Sequence, residues 1–398
     1  MLISCRDRKL DFTIEAPPSK SIYHRELIVR FLLGAKDGLA DDEEDNDDIR
    51  ATKACLRALS EGGSEVVLPC NESGSTLRFM IPVASAYLLN EKDVKAGKLI
   101  FETKGRLFDR PLKELEEALS PHGITISRDD ENRRIIVTGA MTGGEFVIDG
   151  SVSSQYISGL LMALSLFDGD CSVKVTGGIR SRRYIDLTLD VLDKYGLKTG
   201  CEENVFTTHP AAGIRAPEGG FKVEGDWSNG AFLLCLAKFS DIKVTGLDPD
   251  SHQGDREILD FLAAESENVE WDCSDIPDIT PYMAVVAAFV FDSALFTGIS
   301  RLRIKESDRV KAVREQLGAI GVVTEETEDS LVVYKISGEA KKKLPDVIRL
   351  SSYHDHRMAM TAVLIAVILK TMVEIDDIEC MNKSFPEFPE IVRREMMP

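Results

Sequence analysis

Several stretches of this chain are apolar around a whole helical circumference rather than along one stripe, and each has the same neighbours. Residues 73–89, 277–291 and 356–369 each open on a polar turn, stay apolar over helical length, and give way to a short strand pattern at 99–101, 294–297 and 372–375. A charged loop follows each time: 105–110, the segment around Arg303, and Lys383-Ser384-Phe385. A helix without a polar face must be covered on all sides. The pattern therefore predicts an α/β protein with helices inside and sheets outside. That is the reverse of a dinucleotide-binding layout, and the chain has no G-x-G-x-x-G turn.

The unit repeats. Phe146-Val147-Ile148-Asp149-Gly150 and Phe221-Lys222-Val223-Glu224-Gly225 both lead through a serine-bearing turn into an apolar helix, and Val173-Lys174-Val175-Thr176-Gly177 matches Ile242-Lys243-Val244-Thr245-Gly246 downstream. Such self-similarity marks an internal duplication. With a degenerate copy at 20–33 there are six units, most simply arranged as two domains of three.

The 398 residues, 43% of them hydrophobic, suffice for two cores. A net charge of -19 argues against nucleic-acid and membrane surfaces, which reward excess Lys and Arg. The eight cysteines are scattered singly, without zinc or disulfide spacing. Reduced thiols in the cytoplasm are the expectation. The first ten residues lack the apolar core of a signal peptide, and the apolar run 358–369 is shorter than the roughly 18 residues of a membrane span. It reads as a buried helix. The acidic run 41–48 reads as a solvated loop that favours the start of a helix at 49–59. Lys341-Lys342-Lys343 reads as a solvated turn.

Against this acidic background the cations are gathered locally. Arg303-Ile304-Lys305-Glu306-Ser307-Asp308-Arg309 places three cations and two carboxylates in seven residues. A solvated helix start capped by Asp308 could look alike. Lys20, Ser21 and Arg25 open a helix after Pro17-Pro18-Ser19. Ser73-Gly74-Ser75 with Arg78 has the parts of an anion nest. Ser153-Ser154-Gln155, Ser181 with Tyr184, and Arg106 with Arg110 add donors, although each suits an ordinary cap or surface. Asp278 heads a very apolar helix, where it is equally suited to capping. His354-Asp355-His356-Arg357 lacks further ligands for a metal, and Arg357 at an apolar helix start fits an anion better.

Taken in order, Pro18-Ser19-Lys20-Ser21 with Arg25, Ser73-Gly74-Ser75 with Arg78, Arg110-Pro111, Ser153-Ser154-Gln155, Ile276-Pro277-Asp278, Arg303 with Lys305-Glu306-Ser307-Asp308-Arg309, Asp355-His356-Arg357-Met358-Ala359-Met360 and Lys383-Ser384-Phe385-Pro386 closely resemble the 5-enolpyruvylshikimate-3-phosphate synthase family. The resemblance implies a two-domain inside-out α/β barrel in which each domain has three βαβαββ-type repeats. It further implies a discontinuous domain of 1–18 with 225–398, an inserted domain of 19–224, and an active site in the interdomain cleft that closes on substrate. The implied reaction moves the enolpyruvyl group of phosphoenolpyruvate to the 5-hydroxyl of shikimate 3-phosphate, on the route to chorismate and aromatic amino acids. Lys20, Gly74, Arg78, Arg110, Gln155, Arg309, Arg357 and Lys383 are implied around phosphoenolpyruvate. Lys20, Ser21, Arg25, Ser153, Ser154, Gln155, Ser181, Tyr184, Asp278 and Lys305 are implied around shikimate 3-phosphate. Glu306 is the implied carbon acid and Asp278 the base, assisted by Lys20. The resemblance implies no cofactor and no metal, a monomer in the cytoplasm, and competition of glyphosate with phosphoenolpyruvate at Gly74.

Glu72 and Arg301 stand where many relatives carry asparagine, which alters the charge beside both ligands. The competing readings are the related transferase acting on UDP-N-acetylglucosamine and a non-catalytic anion-binding relative. The first lacks its Lys-Asn start and reactive loop cysteine here; the second would be marked by loss of Glu306, Asp278 or Lys20, all of which are present.

Overall fold

Helices that have no polar stripe take the middle of each of two units in this mixed α/β chain, one made of Met1–Ser19 with Glu224–Pro398 and the other of Lys20–Val223. The computed structural model describes every residue except Asp7, Glu43, Glu44, Arg180, Glu218 and Pro398. In the Lys20–Val223 unit the helices are α1 (Lys20–Leu32), α2 (Asp47–Glu61), α3 (Gly74–Leu88), α4 (Lys113–Leu119), α5 (Ser154–Leu164) and α6 (Arg182–Lys194). The other unit holds α7 (Trp227–Lys238), α8 (Ile258–Ala263), α9 (Thr280–Val290), α10 (Arg309–Ala319), α11 (Gly338–Lys342), α12 (His356–Leu369) and α13 (Phe388–Met396). The apolar runs form α3, α5, α9 and α12, which are buried nearly all round.

One strand order occurs three times. A strand, a helix and a parallel strand are followed by a second helix and a hairpin that adds antiparallel to the second strand. This gives the sheets Glu65–Asn71/Lys98–Thr103/Arg134–Gly139/Ile124–Asp129, Glu145–Asp149/Cys171–Thr176/Val205–Thr208/Thr199–Glu202, and Asn268–Asp272/Ser293–Thr297/Ser330–Tyr334/Thr324–Glu326. The remaining copies are reduced. Val347–Leu350 and Met372–Ile375 pair in parallel and take Leu2–Ser4 as their third strand, while Thr13–Glu15 pairs with Lys243–Thr245 alone. The copy that begins with α1 has α2 and no strand of its own among the described residues, since the segment between these helices lacks alternating apolar positions. Strands bury alternate residues: Phe146 and Ile148 point inward and Glu145, Val147 and Asp149 outward.

The acidic run departs from expectation. Asn46 caps α2 by accepting from the Ile49 amide at 3.0 Å, and Asp47 is exposed. Asp45 and Asp48, however, are buried: Lys53 donates to Asp45 at 2.5 Å and Lys20 to Asp48 at 2.9 Å. A loop carrying so many carboxylates looks solvated until the lysines that neutralise two of them are brought in by α1 and α2. Glu43 and Glu44 of the same run lie outside the described residues. No helix among the described residues is long and apolar enough to cross a membrane.

Close approach of α3 and α5 depends on Gly159. A Cβ there would lie 2.9 Å from the Arg78 carbonyl oxygen and 2.9 Å from Pro82 Cγ. Backbone cannot yield as a flexible side chain does, so Gly159→Ala is expected to cost about 1–3 kcal/mol of stability. Urea unfolding of the variant against the parent measures it.

Candidate active site

In the Lys20–Val223 unit the starts of α1, α3 and α5 carry the polar residues. Ser73 accepts from the Thr76 amide at 3.2 Å and caps α3; Ser153 accepts from the Gln155 amide at 3.3 Å and caps α5. These caps leave the first turn of α3 open at Gly74, where a Cβ would sit 2.6 Å from Arg110 Nη1 and 3.0 Å from Arg78 Nη1. Two guanidiniums beside a helix N-terminus form a strongly anion-seeking spot. Arg78 donates to Gln155 Oε1 at 2.9 Å, and Gln155 in turn donates to Ser75 Oγ at 2.8 Å. Lys20 is held against Asp48. Ser21 and Ser154 occupy the first turns of α1 and α5 beside Lys20 and Gln155. Ser181 lies in the left-handed region at φ 55° just ahead of α6.

Arg25 behaves differently from the other cations. It is buried and donates to Thr188 at 2.7 Å, to Ser158 at 3.2 Å, and to the carbonyls of Tyr184 at 2.8 Å and Ser21. Burial pulls its guanidinium down to about 10. Much of its donor capacity goes to tying α1 to α5 and α6.

The second cluster belongs to the other unit and centres on Arg309. Its buried guanidinium donates to Asp355 Oδ2 at 2.8 Å, to Asp278 Oδ1 at 2.8 Å and to Glu306 Oε2 at 2.8 Å. Asp278 also receives Lys305 at 3.3 Å, and Glu306 faces Lys383 at 3.2 Å. Burial alone would raise the Asp278 carboxyl, but Lys305, Arg309 and Arg357 overcome it and hold it well below the usual carboxylate range. Burial lowers Lys305 to about 8, with Arg309 and Arg301 adding to the effect and Asp278 opposing it. Arg357, at the start of α12, donates to Tyr282 Oη at 3.0 Å, and its Nε has no hydrogen-bond partner among the described residues.

Asp308 caps α10 by accepting from the Lys311 amide at 3.0 Å, and Asp355 caps α12 through the Arg357 amide at 2.9 Å. The ordinary capping role suggested for Asp308 therefore holds. Asp278 instead lies two residues before Thr280 and accepts from side chains. The sequence reading missed Asp48 and Asp355 as organisers of Lys20 and Arg309. A signal was present for Asp355, an acidic residue at a helix start two positions before Arg357, while Asp48 lies 28 residues from Lys20 in the chain. It also missed Asp255, a buried carboxyl pushed up to about 7 by burial and by Asp278.

Comparison with known proteins gives the family. The EPSP synthase (3-phosphoshikimate 1-carboxyvinyltransferase) family model matches residues 6–392. A 3-phosphoshikimate 1-carboxyvinyltransferase from Clostridium novyi (strain NT) is 31% identical over 96% of this chain and 94% of its own length. One from Clostridium kluyveri is 32% identical over 98% and 96%. Among solved structures, EPSP synthase from Acinetobacter baumannii aligns over 100% of this chain and 98% of its own with a TM-score of 0.71 at 21% identity, and the enolpyruvyl transferase NikO from Streptomyces tendae reaches 0.68 at 12% over 100% and 99%. These two show likeness of fold alone. From the family match and the identity of its relatives along nearly the whole length, the chain belongs to the EPSP synthase family.

Proposed function

We propose that this protein transfers the enolpyruvyl group of phosphoenolpyruvate to the 5-hydroxyl of shikimate 3-phosphate, releasing inorganic phosphate. Family membership supports the reaction. The observation that carries it to particular atoms is the pairing of two differently placed carboxylates, Asp278 and Glu306, on the single guanidinium of Arg309. The two units would follow one plan of three βαβαββ-type repeats each, with buried helices, outer sheets and reduced copies where strands are missing.

Phosphoenolpyruvate would be held by Lys20, Arg78, Arg110 and Gln155 with its phosphate at Gly74, together with Arg309, Arg357 and Lys383. Shikimate 3-phosphate would use Lys20, Ser21, Arg25, Ser153, Ser154, Gln155, Ser181, Tyr184, Asp278 and Lys305. Arg25 would serve it mainly by fixing α1. As ligand charge draws Arg309 and Lys383 to itself, Glu306 loses its counter-ions, which favours the acid form that gives a proton to the methylene carbon. Asp278 takes the proton of the 5-hydroxyl as its oxygen bonds to the carbon bearing the phosphate. In the resulting tetrahedral species Glu306 removes a methyl proton, the double bond re-forms and phosphate leaves, taking back the hydroxyl proton held by Asp278. Two proton transfers of opposite sense at one centre need two separately held groups. The surrounding cations stabilise the changing charge.

Phosphate release is expected with shikimate 3-phosphate and not with UDP-N-acetylglucosamine. Glu306→Gln should lower kcat by a factor on the order of 10²–10⁴. Release with the sugar nucleotide, or an unimpaired variant, would sink this reading. Gly74→Ala pushes a methyl group against Arg110 and Arg78. It should raise the KM for phosphoenolpyruvate well above that for shikimate 3-phosphate in the same steady-state assay.

Lys305 supplies a pH signature. Its lowered value of about 8, against 10.5 for a free lysine, means that the folded chain sheds this proton earlier than the unfolded chain. The cost of burying the ammonium is therefore present below about pH 8 and is relieved as pH rises from there towards the free value. Acetylation of Lys305 followed by mass spectrometry should rise through about pH 8 in the ligand-free protein. Added shikimate 3-phosphate should move the rise upward, because a bound phosphate favours the charged amine.

A further inference from the structure

We infer that His24 and Thr52 are positioning residues for phosphoenolpyruvate, acting through a buried hydroxyl relay that ends at the cap of α3. The inference rests on the reaction proposed above. His24 Nδ1 lies 2.8 Å from Thr52 Oγ1, Thr52 Oγ1 lies 2.7 Å from Thr76 Oγ1, and Thr76 Oγ1 lies 2.7 Å from Ser73 Oγ. His24, Thr52 and Thr76 are fully buried and Ser73 is nearly so. The relay therefore crosses from α1 through α2 to α3 without water.

Its direction follows from counting donors. Burial pushes His24 down to about 3, so the ring is neutral and carries one N–H. Its Nε2 has no partner among the described residues. An N–H left there would be a stranded donor, so the proton belongs on Nδ1 and points at Thr52. Thr52 then donates to Thr76, and Thr76 to Ser73 in preference to the Asp48 carbonyl at 3.3 Å. Ser73 also accepts from the Thr76 amide, which fixes it in its capping position ahead of Gly74.

The relay runs beside a second contact. Lys20 precedes His24 by one turn of α1, and Asp48 precedes Thr52 by one turn of α2, so Lys20–Asp48 and His24–Thr52 pin the two helices at successive turns. Both contacts meet α3 at Thr76, two residues after Gly74 in its first turn, because Thr76 Oγ1 also lies 3.3 Å from the Asp48 carbonyl. Arg25 holds α1 separately to α5 and α6. Cutting the relay should consequently disturb Gly74 and Arg78, which serve phosphoenolpyruvate alone, while Lys20, shared by both ligands, keeps its own contact with Asp48.

Thr52→Val removes the hydroxyl and keeps the shape, and Thr52→Ser keeps the hydroxyl. With each substrate varied in turn, Thr52→Val should raise the KM for phosphoenolpyruvate about tenfold, the equivalent of roughly one lost hydrogen bond. The KM for shikimate 3-phosphate should stay within about twofold of the parent. Thr52→Ser should recover the parent values, and the split should be the same from about pH 6 to about pH 9 because His24 stays neutral. If Thr52→Val cannot be purified, Thr76→Val cuts the relay nearer Ser73 and should give the same split. An unchanged KM for phosphoenolpyruvate, a loss shared by both substrates, or a loss that serine does not recover would overturn the relay and leave the reaction standing. A parent protein that releases no phosphate would overturn both.

Discussion

A helix that is apolar all round can offer only its ends to solvent and ligand. That constraint governs both units. Once α3, α5, α9 and α12 are covered by neighbouring helices and sheets, their flanks are spent on packing. Their N-terminal turns carry part of the proposed site: Gly74 and Arg78, Ser154 and Gln155, Asp278 just before Thr280, and Arg357. The amides and dipole of a helix start already favour negative charge. Placing arginine and lysine there strengthens a preference that the backbone supplies, which is how a chain of net charge -19 can hold anionic substrates.

Within each unit, buried carboxylates neutralise the cations. Asp355 takes Arg309 through two oxygens and also accepts from Ser307 at 2.9 Å, while Asp48 takes Lys20. These pairs cost desolvation and are poor investments for stability alone. What they give is fixed direction: if these cations bind the ligands as proposed, less ordering remains to be done on binding.

Element type was legible from the sequence wherever a pattern was long and apolar. The helix read at 356–369 is α12, and the strand read at 372–375 spans Met372–Ile375. Local chemistry also offered the capping role of Asp308, because a cap depends on near neighbours. What stayed hidden depends on distant partners. Asp45 and Asp48 look solvated until Lys53 and Lys20 face them, and no local pattern tells that Arg25 ties α1 to Thr188 and Ser158. The hydroxyls of Thr52 and Thr76 carry no signal in sequence at all, since threonine in a helix is unremarkable until three helices meet.

The pairing of Leu2–Ser4 with Met372–Ile375 bears on how the chain is made. One sheet of the Met1–Ser19 and Glu224–Pro398 unit takes its third strand from the first residues and its others from the last repeat. The Lys20–Val223 unit, by contrast, is one continuous segment. On a ribosome that delivers the N-terminal side first, this segment can close its core while the remainder is still being translated. The opening strand must wait for a partner some 370 residues later, at an entropic cost that grows only slowly with the length of the loop. A strand translated before the Lys20–Val223 segment thus finds its place after it.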